Sequence, residues 1–173
     1  RSYPGTGTTW TDLKGNHDGT LTNGPTFSSD NGGCIVFDGT NDHLDVGSAG
    51  DFNYLHDNTG TWTAEFWVCP QVVNSRQTVF STGGNSSATG FCTRIMEQGT
   101  GGSSNGYFVT AQISKGSGGN YLYWASDPTR LDADTWYHIA LVYDNTDETL
   151  KIYVDGKLTN SGFSYQAGTF GSH

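Results

Sequence analysis

The chain has 173 residues, room for one domain with a sizeable core. Its 8 Lys and Arg against 17 Asp and Glu give a formal net charge of −9. That charge argues against nucleic acid, where Lys and Arg must displace counterions from phosphates, and against an anionic membrane surface. Glycine at 25 residues and charged residues at only 14% point to many short strands and tight turns instead of long salt-bridged helices. No run approaches the ~18 apolar residues of a membrane span, so membrane insertion is not expected.

In chain order, residues Thr6 to Gly19 read as loop and short turns, and Thr20–Thr22 and Thr26–Ser28 as two extended pieces around Asn23-Gly24-Pro25. Cys34–Asp38 and His43–Val46 suggest a strand pair bent through Gly39-Thr40-Asn41-Asp42, and Asp51–Asn58 holds one helical turn at most. Trp62–Val68 alternates with period two, which puts Trp62, Ala64, Phe66 and Val68 inward and Glu65, Trp67 and Cys69 outward. Further strands are expected at Gln77–Ser81, Phe91–Glu97, Gly106–Ser114 and Tyr121–Ala125, separated by Gly/Ser loops. Tyr137, Ile139, Leu141 and Tyr143 then share one strand face, and Leu150, Ile152 and Val154 share a face of the next strand. A loop over Asp144–Glu148 joins these two strands, and Asp155-Gly156 makes a following turn. Strands on this scale with almost no helix predict an all-β, two-sheet antiparallel jelly-roll sandwich, with Trp62, Phe66, Val68, Ile139, Leu141, Ile152 and Val154 in its core. Cys34, Cys69 and Cys92 cannot all pair within the chain; three half-buried thiols or a Cys69–Cys92 disulfide both fit.

Several segments carry a family resemblance. The run "W-H-x-A-x-x-Y-D" at Trp136–Asp144, read with its one-residue offset as WYHIALVYD, leads to LKIYVDGK at Leu150–Lys157. With Ile35–Asp42 (IVFDGTND) and Trp62–Val68 (WTAEFWV), it resembles laminin-G-like, concanavalin A-like jelly rolls. The entry segment Trp10–Asn16 and Gly19–Pro25 extends the likeness, which is strongest to copies in tailed-phage virion proteins and bacterial surface proteins. The resemblance implies a non-catalytic module recognising a glycan or receptor on a virion or cell surface, in contact with other protein subunits. The alternative it leaves open is a structural role in capsid decoration or fibre packing, and a weaker one is a glycan-active enzyme of the same fold. Members of the family usually carry one further strand at each end, so residues 1–173 read as a single domain excerpted from a longer chain, or one that borrows strands from a neighbour.

The catalytic reading is thin. Related glucanases use two carboxylates, about 5–5.5 Å apart in retaining enzymes. Glu65, Glu97 and Glu148 fall in different strands or turns, and only Glu65 with Glu97 makes a cross-strand pair worth checking, so no catalytic residue is assigned. No nucleophile elbow, zinc-protease motif or phosphate loop occurs, and His138 reads as a structural strand residue. Calcium takes oxygen donors of the kind Asp/Asn/Gly bends offer, which marks Asp38 and Asp42 as candidate metal ligands, an ordinary Asx turn being the alternative. Carbohydrate needs flat aromatic platforms: Trp67, Tyr121 and Tyr123 are the candidates, with Tyr121 and Tyr123 expected on one face, and packing or subunit contact as the alternative use. Asn85-Ser86-Ser87 is a glycosylation sequon.

Overall fold

The computed structural model describes residues 3–57, 59–71, 76–83, 89–99, 104–115, 121–126, 129–147, 149–159 and 162–163. The sequon at Asn85 lies outside them. The chain forms two compact units, residues 1–51 and 52–173.

The first unit is built from very short strands: β1 (Thr9–Trp10), β2 (Gly19–Thr22), β3 (Thr26–Ser28), β4 (Cys34–Val36) and β5 (His43–Val46). One sheet has the order β1-β2-β5, and β3 pairs with β4 as a separate two-stranded ribbon. This corrects the expectation that the strands on either side of Gly39–Asp42 pair with each other. Leu21 lies opposite Leu44, and Phe27 lies opposite Ile35. The bend itself explains the difference: Asp38 N–H donates to Asp42 Oδ2 at 3.0 Å, so the chain closes a side-chain-capped turn there and does not run back along itself. The buried Tyr3 ring centres this unit, 5.6 Å from Phe27 and 6.3 Å from Trp10, and its hydroxyl donates to the Gly7 carbonyl. A Cβ at Gly19 would lie 2.6 Å from Leu44 Cδ1, so any larger residue there would force the Leu44 side chain to move.

The second unit follows a 3-10 segment at Ala49–Leu55 and contains β6 (Trp62–Val68), β7 (Gln77–Ser81), β8 (Thr89–Gly99), β9 (Ser104–Lys115), β10 (Tyr121–Ser126), β11 (Tyr137–Asp144), β12 (Thr149–Val154), β13 (Lys157–Leu158) and β14 (Gly162–Phe163). A four-stranded sheet runs β13-β12-β11-β6 and a five-stranded sheet runs β14-β10-β9-β8-β7, with every pairing antiparallel.

The period-two pattern decides which face of each strand enters the core. In β11, Tyr137, Ile139, Leu141 and Tyr143 are buried while their neighbours are only half-buried. Register aligns Ile139 with Phe66 and Val154, and Leu141 with Ala64 and Ile152, so apolar rows run across β6, β11 and β12. The five-stranded sheet answers with Phe91 opposite Ile113 and Ile95 opposite Val109. These side chains form one cluster, in which the Trp62 ring meets Phe91 edge-on at 5.1 Å and joins the two sheets. Each fully buried aliphatic or aromatic side chain contributes roughly 1.5–3 kcal/mol, which makes this interior the main source of stability. The result is a concanavalin A-like β-sandwich with almost no helix, as the strand pattern predicts.

The three cysteines are thiols. Cys69 follows β6 of one sheet, while Cys92 lies opposite Gln112 within the other, on the face away from the core. The expected alternative, a Cys69–Cys92 bridge, is therefore not formed.

Candidate functional site

The outer face of the four-stranded sheet is where chemistry-bearing side chains reach solvent. The alternation that buries Phe66 and Ile139 turns Glu65, Trp67, His138, Ala140 and Tyr153 the other way. Trp67, next to the last residue of β6, is 65% exposed, an unusual state for so large an apolar ring on a regular strand. Across the sheet it lies opposite His138, and the two ring centroids are 5.2 Å apart with a tilt of 54°. Glu65 lies opposite Ala140, its carboxylate 3.6 Å from His138 Nε2; the side chains are 69% and 28% exposed respectively. Tyr153 pairs with Ala140 on the far side, and Leu158 with Tyr153 beyond it.

The backbone under this platform is held firmly. Asp155 and Gly156 both have positive φ, 49° and 75°, the mirror-image geometry that suits a two-residue hairpin turn between β12 and β13. Asp155 N–H donates to the His138 carbonyl at 2.8 Å, and His138 N–H donates to Asp155 Oδ1 at 2.9 Å. The turn is thereby tied to the strand that carries His138. The arrangement is an aromatic plate with an acceptor-only carboxylate on one side, an imidazole on another and a small residue, Ala140, as the floor between them.

A family model for the concanavalin A-like lectin/glucanases superfamily, of the laminin G type, matches residues 38–172. The chain belongs to this superfamily. Its domains typically bind ligands or mediate adhesion. No curated protein and no solved structure matches the chain.

As a concanavalin A-like domain, the chain distributes the other sequence candidates away from the platform. Tyr121 and Tyr123 lie in β10 of the opposite sheet, so the fold does not gather them with Trp67. The register also slips between them: Tyr121 pairs with Ser114 and Tyr123 with Ile113. Glu65 and Glu97 belong to different sheets, and Glu65 projects from the sheet face that points away from the other sheet. Glu148 lies outside the described residues.

At the Asp38–Asp42 bend, each carboxylate is engaged by its own turn. Asp38 Oδ1 accepts Thr40 N–H at 2.7 Å, and Asp42 Oδ2 accepts Asp38 N–H. Among the described residues no group of three or more His, Cys, Asp or Glu converges as a metal site. Two carboxylates alone fall short of the six-to-eight-oxygen shell calcium takes. Water or other donors would have to complete it.

Two groupings escaped the sequence reading. His138 joins the platform through cross-strand register, which a single strand's pattern does not reveal. On the outer face of the five-stranded sheet, Arg94 donates to Gln112 Oε1 at 2.9 Å beside the buried Cys92 thiol, a polar row visible only once β8 and β9 are aligned.

Proposed function

We propose that this domain is a non-catalytic recognition module that binds glycans through the outer face of its four-stranded sheet, on a virion or cell surface. The observation that carries the reading is Trp67, 65% exposed on a regular strand and flanked by Glu65 and His138. A rigid plate of this kind stacks on a sugar ring with little entropy to lose, and the neighbouring polar groups orient the hydroxyls. Glu65 and Glu97, the cross-strand pair worth checking, lie in different sheets, which supports binding without hydrolysis. Glycan-array binding of the purified domain, lost in Trp67→Ala with folding intact, is the expected result. An array on which the domain and Trp67→Ala behave alike removes the reading.

A second reading has its own support. Leu158 is 54% exposed on the same face as Tyr153, so the apolar surface continues from the platform to the sheet edge. This strip suits packing against another protein subunit in an assembly. Leu158→Glu separates the two: it weakens self- or partner association and leaves glycan binding in place. Calcium at the Asp38–Asp42 bend is a further proposal. A melting temperature higher in excess calcium than in chelator supports it, and an unchanged one removes it.

A further inference from the structure

We infer that the Trp67 platform selects saccharides bearing a positively charged amino group over neutral or acidic ones. The inference rests on the glycan-binding reading above and names the ligand class of that site. Trp67 and Glu65 are two residues apart on one strand face, a separation of about 6.6–6.8 Å along the strand. That span matches one sugar ring with its substituent. A ring stacked on Trp67 thus brings an equatorial substituent to the Glu65 carboxylate.

The electrostatics of the face favour a cation there. An aromatic ring attracts an ammonium group over its face, and a carboxylate accepts its hydrogen bonds with charge assistance. Glu65 is 69% exposed and lies 3.6 Å from His138 Nε2, longer than a hydrogen bond, so its carboxylate oxygens remain open to a ligand's donors. Lys151, opposite Val142, is two strands across and two residues along from Glu65, about 12 Å by strand spacing. Salt screens most of its field at that range. Asp155 at the turn and the net charge of −9 add to the preference and oppose uronates and sulfated sugars.

The test compares glucosamine oligosaccharides with their N-acetylated counterparts of equal length, by calorimetry at pH 7 on the intact domain. We expect the amino form to bind about fivefold tighter at about 0.1 M salt, and the advantage to shrink as salt rises further. Glu65→Gln equalises the two ligands without abolishing either, and Trp67→Ala removes both. Lys151→Gln leaves the ratio unchanged. Equal affinities in the unaltered protein, or a preference that survives Glu65→Gln, overturn the inference while leaving glycan binding intact. Failure of every oligosaccharide to bind overturns both.

Discussion

Asp155 and His138 exchange two hydrogen bonds, one through backbone atoms at 2.8 Å and one through the Asp155 carboxylate at 2.9 Å. The second bond satisfies the His138 N–H at a point where β12 has already turned away, so a side chain continues the sheet for one more step. This connects a turn chosen by local sequence, Asp-Gly, to the strand position that faces Trp67. The platform consequently rests on a backbone pinned on both sides: β6 pairs with β11 at Trp67, and Asp155 holds β11 from the other edge.

Removing that side chain should therefore do more than shorten a loop. Asp155→Ala loses an acceptor and places a Cβ residue without local hydrogen bonding at φ 49°. We expect a loss of about 1–2 kcal/mol in urea unfolding. Asp155→Asn keeps both the acceptor and the tolerance for this conformation, and should stay within about 0.5 kcal/mol. If the two variants unfold at the same urea midpoint, the bond to His138 contributes nothing measurable.

Core and platform should separate cleanly in the same assay. Leu141 is fully buried between Ala64 and Ile152, and Leu141→Ala should cost about 2–5 kcal/mol from lost transfer energy and the cavity left behind. Trp67→Ala, on the exposed face, should stay within about 0.5 kcal/mol. A Trp67 variant as destabilised as Leu141→Ala would assign Trp67 to packing and not to recognition.

The contrast also explains what was readable in the sequence. Trp62–Val68 and Tyr137–Asp144 each bury one face of a regular strand, so period two alone placed Phe66 and Ile139 inward and Trp67 outward. Asp155-Gly156 was legible for a similar reason, since its turn requires positive φ at both residues. Partner choice was not legible. The strands near Asp38 and His43 are three or four residues long and carry too little pattern to specify who pairs with whom, so β4 went to β3 and β5 to β2. The register shift between Tyr121 and Tyr123 is likewise a property of β9 and β10 together, which composition does not announce. His138 became part of the site through register with Trp67, a property of two strands together.

The cysteines should differ sharply in reactivity. Burial pushes the Cys92 thiol above its ordinary range, with the nearby Arg94 charge and the Ser81 hydroxyl only partly opposing it. A thiol reacts as thiolate, and Cys92 is 1% exposed, so alkylation of the native protein near neutral pH should spare it. Cys34 and Cys69 are half-buried and should label before it. Mass spectrometry of peptides after brief iodoacetamide treatment reads this directly. Labelling of Cys92 at the rate of Cys34 without denaturant would contradict its burial.

The loop over Asp12–Asp18 should carry its own acid transition. Asp12 accepts the backbone N–H groups of Lys14, Asn16 and His17 at 2.9, 3.1 and 3.1 Å. The Lys14 bond does most to hold the carboxyl below its ordinary 3.8, helped by the Asn16 and His17 bonds and the His17 charge. Because the folded value is depressed, the loop's contribution to stability is complete above 3.8 and is lost as pH falls from there through the folded value. The direction follows from proton counting: below 3.8 the unfolded carboxyl takes up a proton before the folded one does. The Lys14 amide chemical shift, followed by NMR during acid titration, should therefore move with a midpoint below 3.8. Asp12→Asn keeps an oxygen acceptor without the charge and should abolish that transition while the remaining carboxylates still titrate. A midpoint at or above 3.8, or an unchanged Lys14 titration in Asp12→Asn, would show that the carboxylate does not organise this loop.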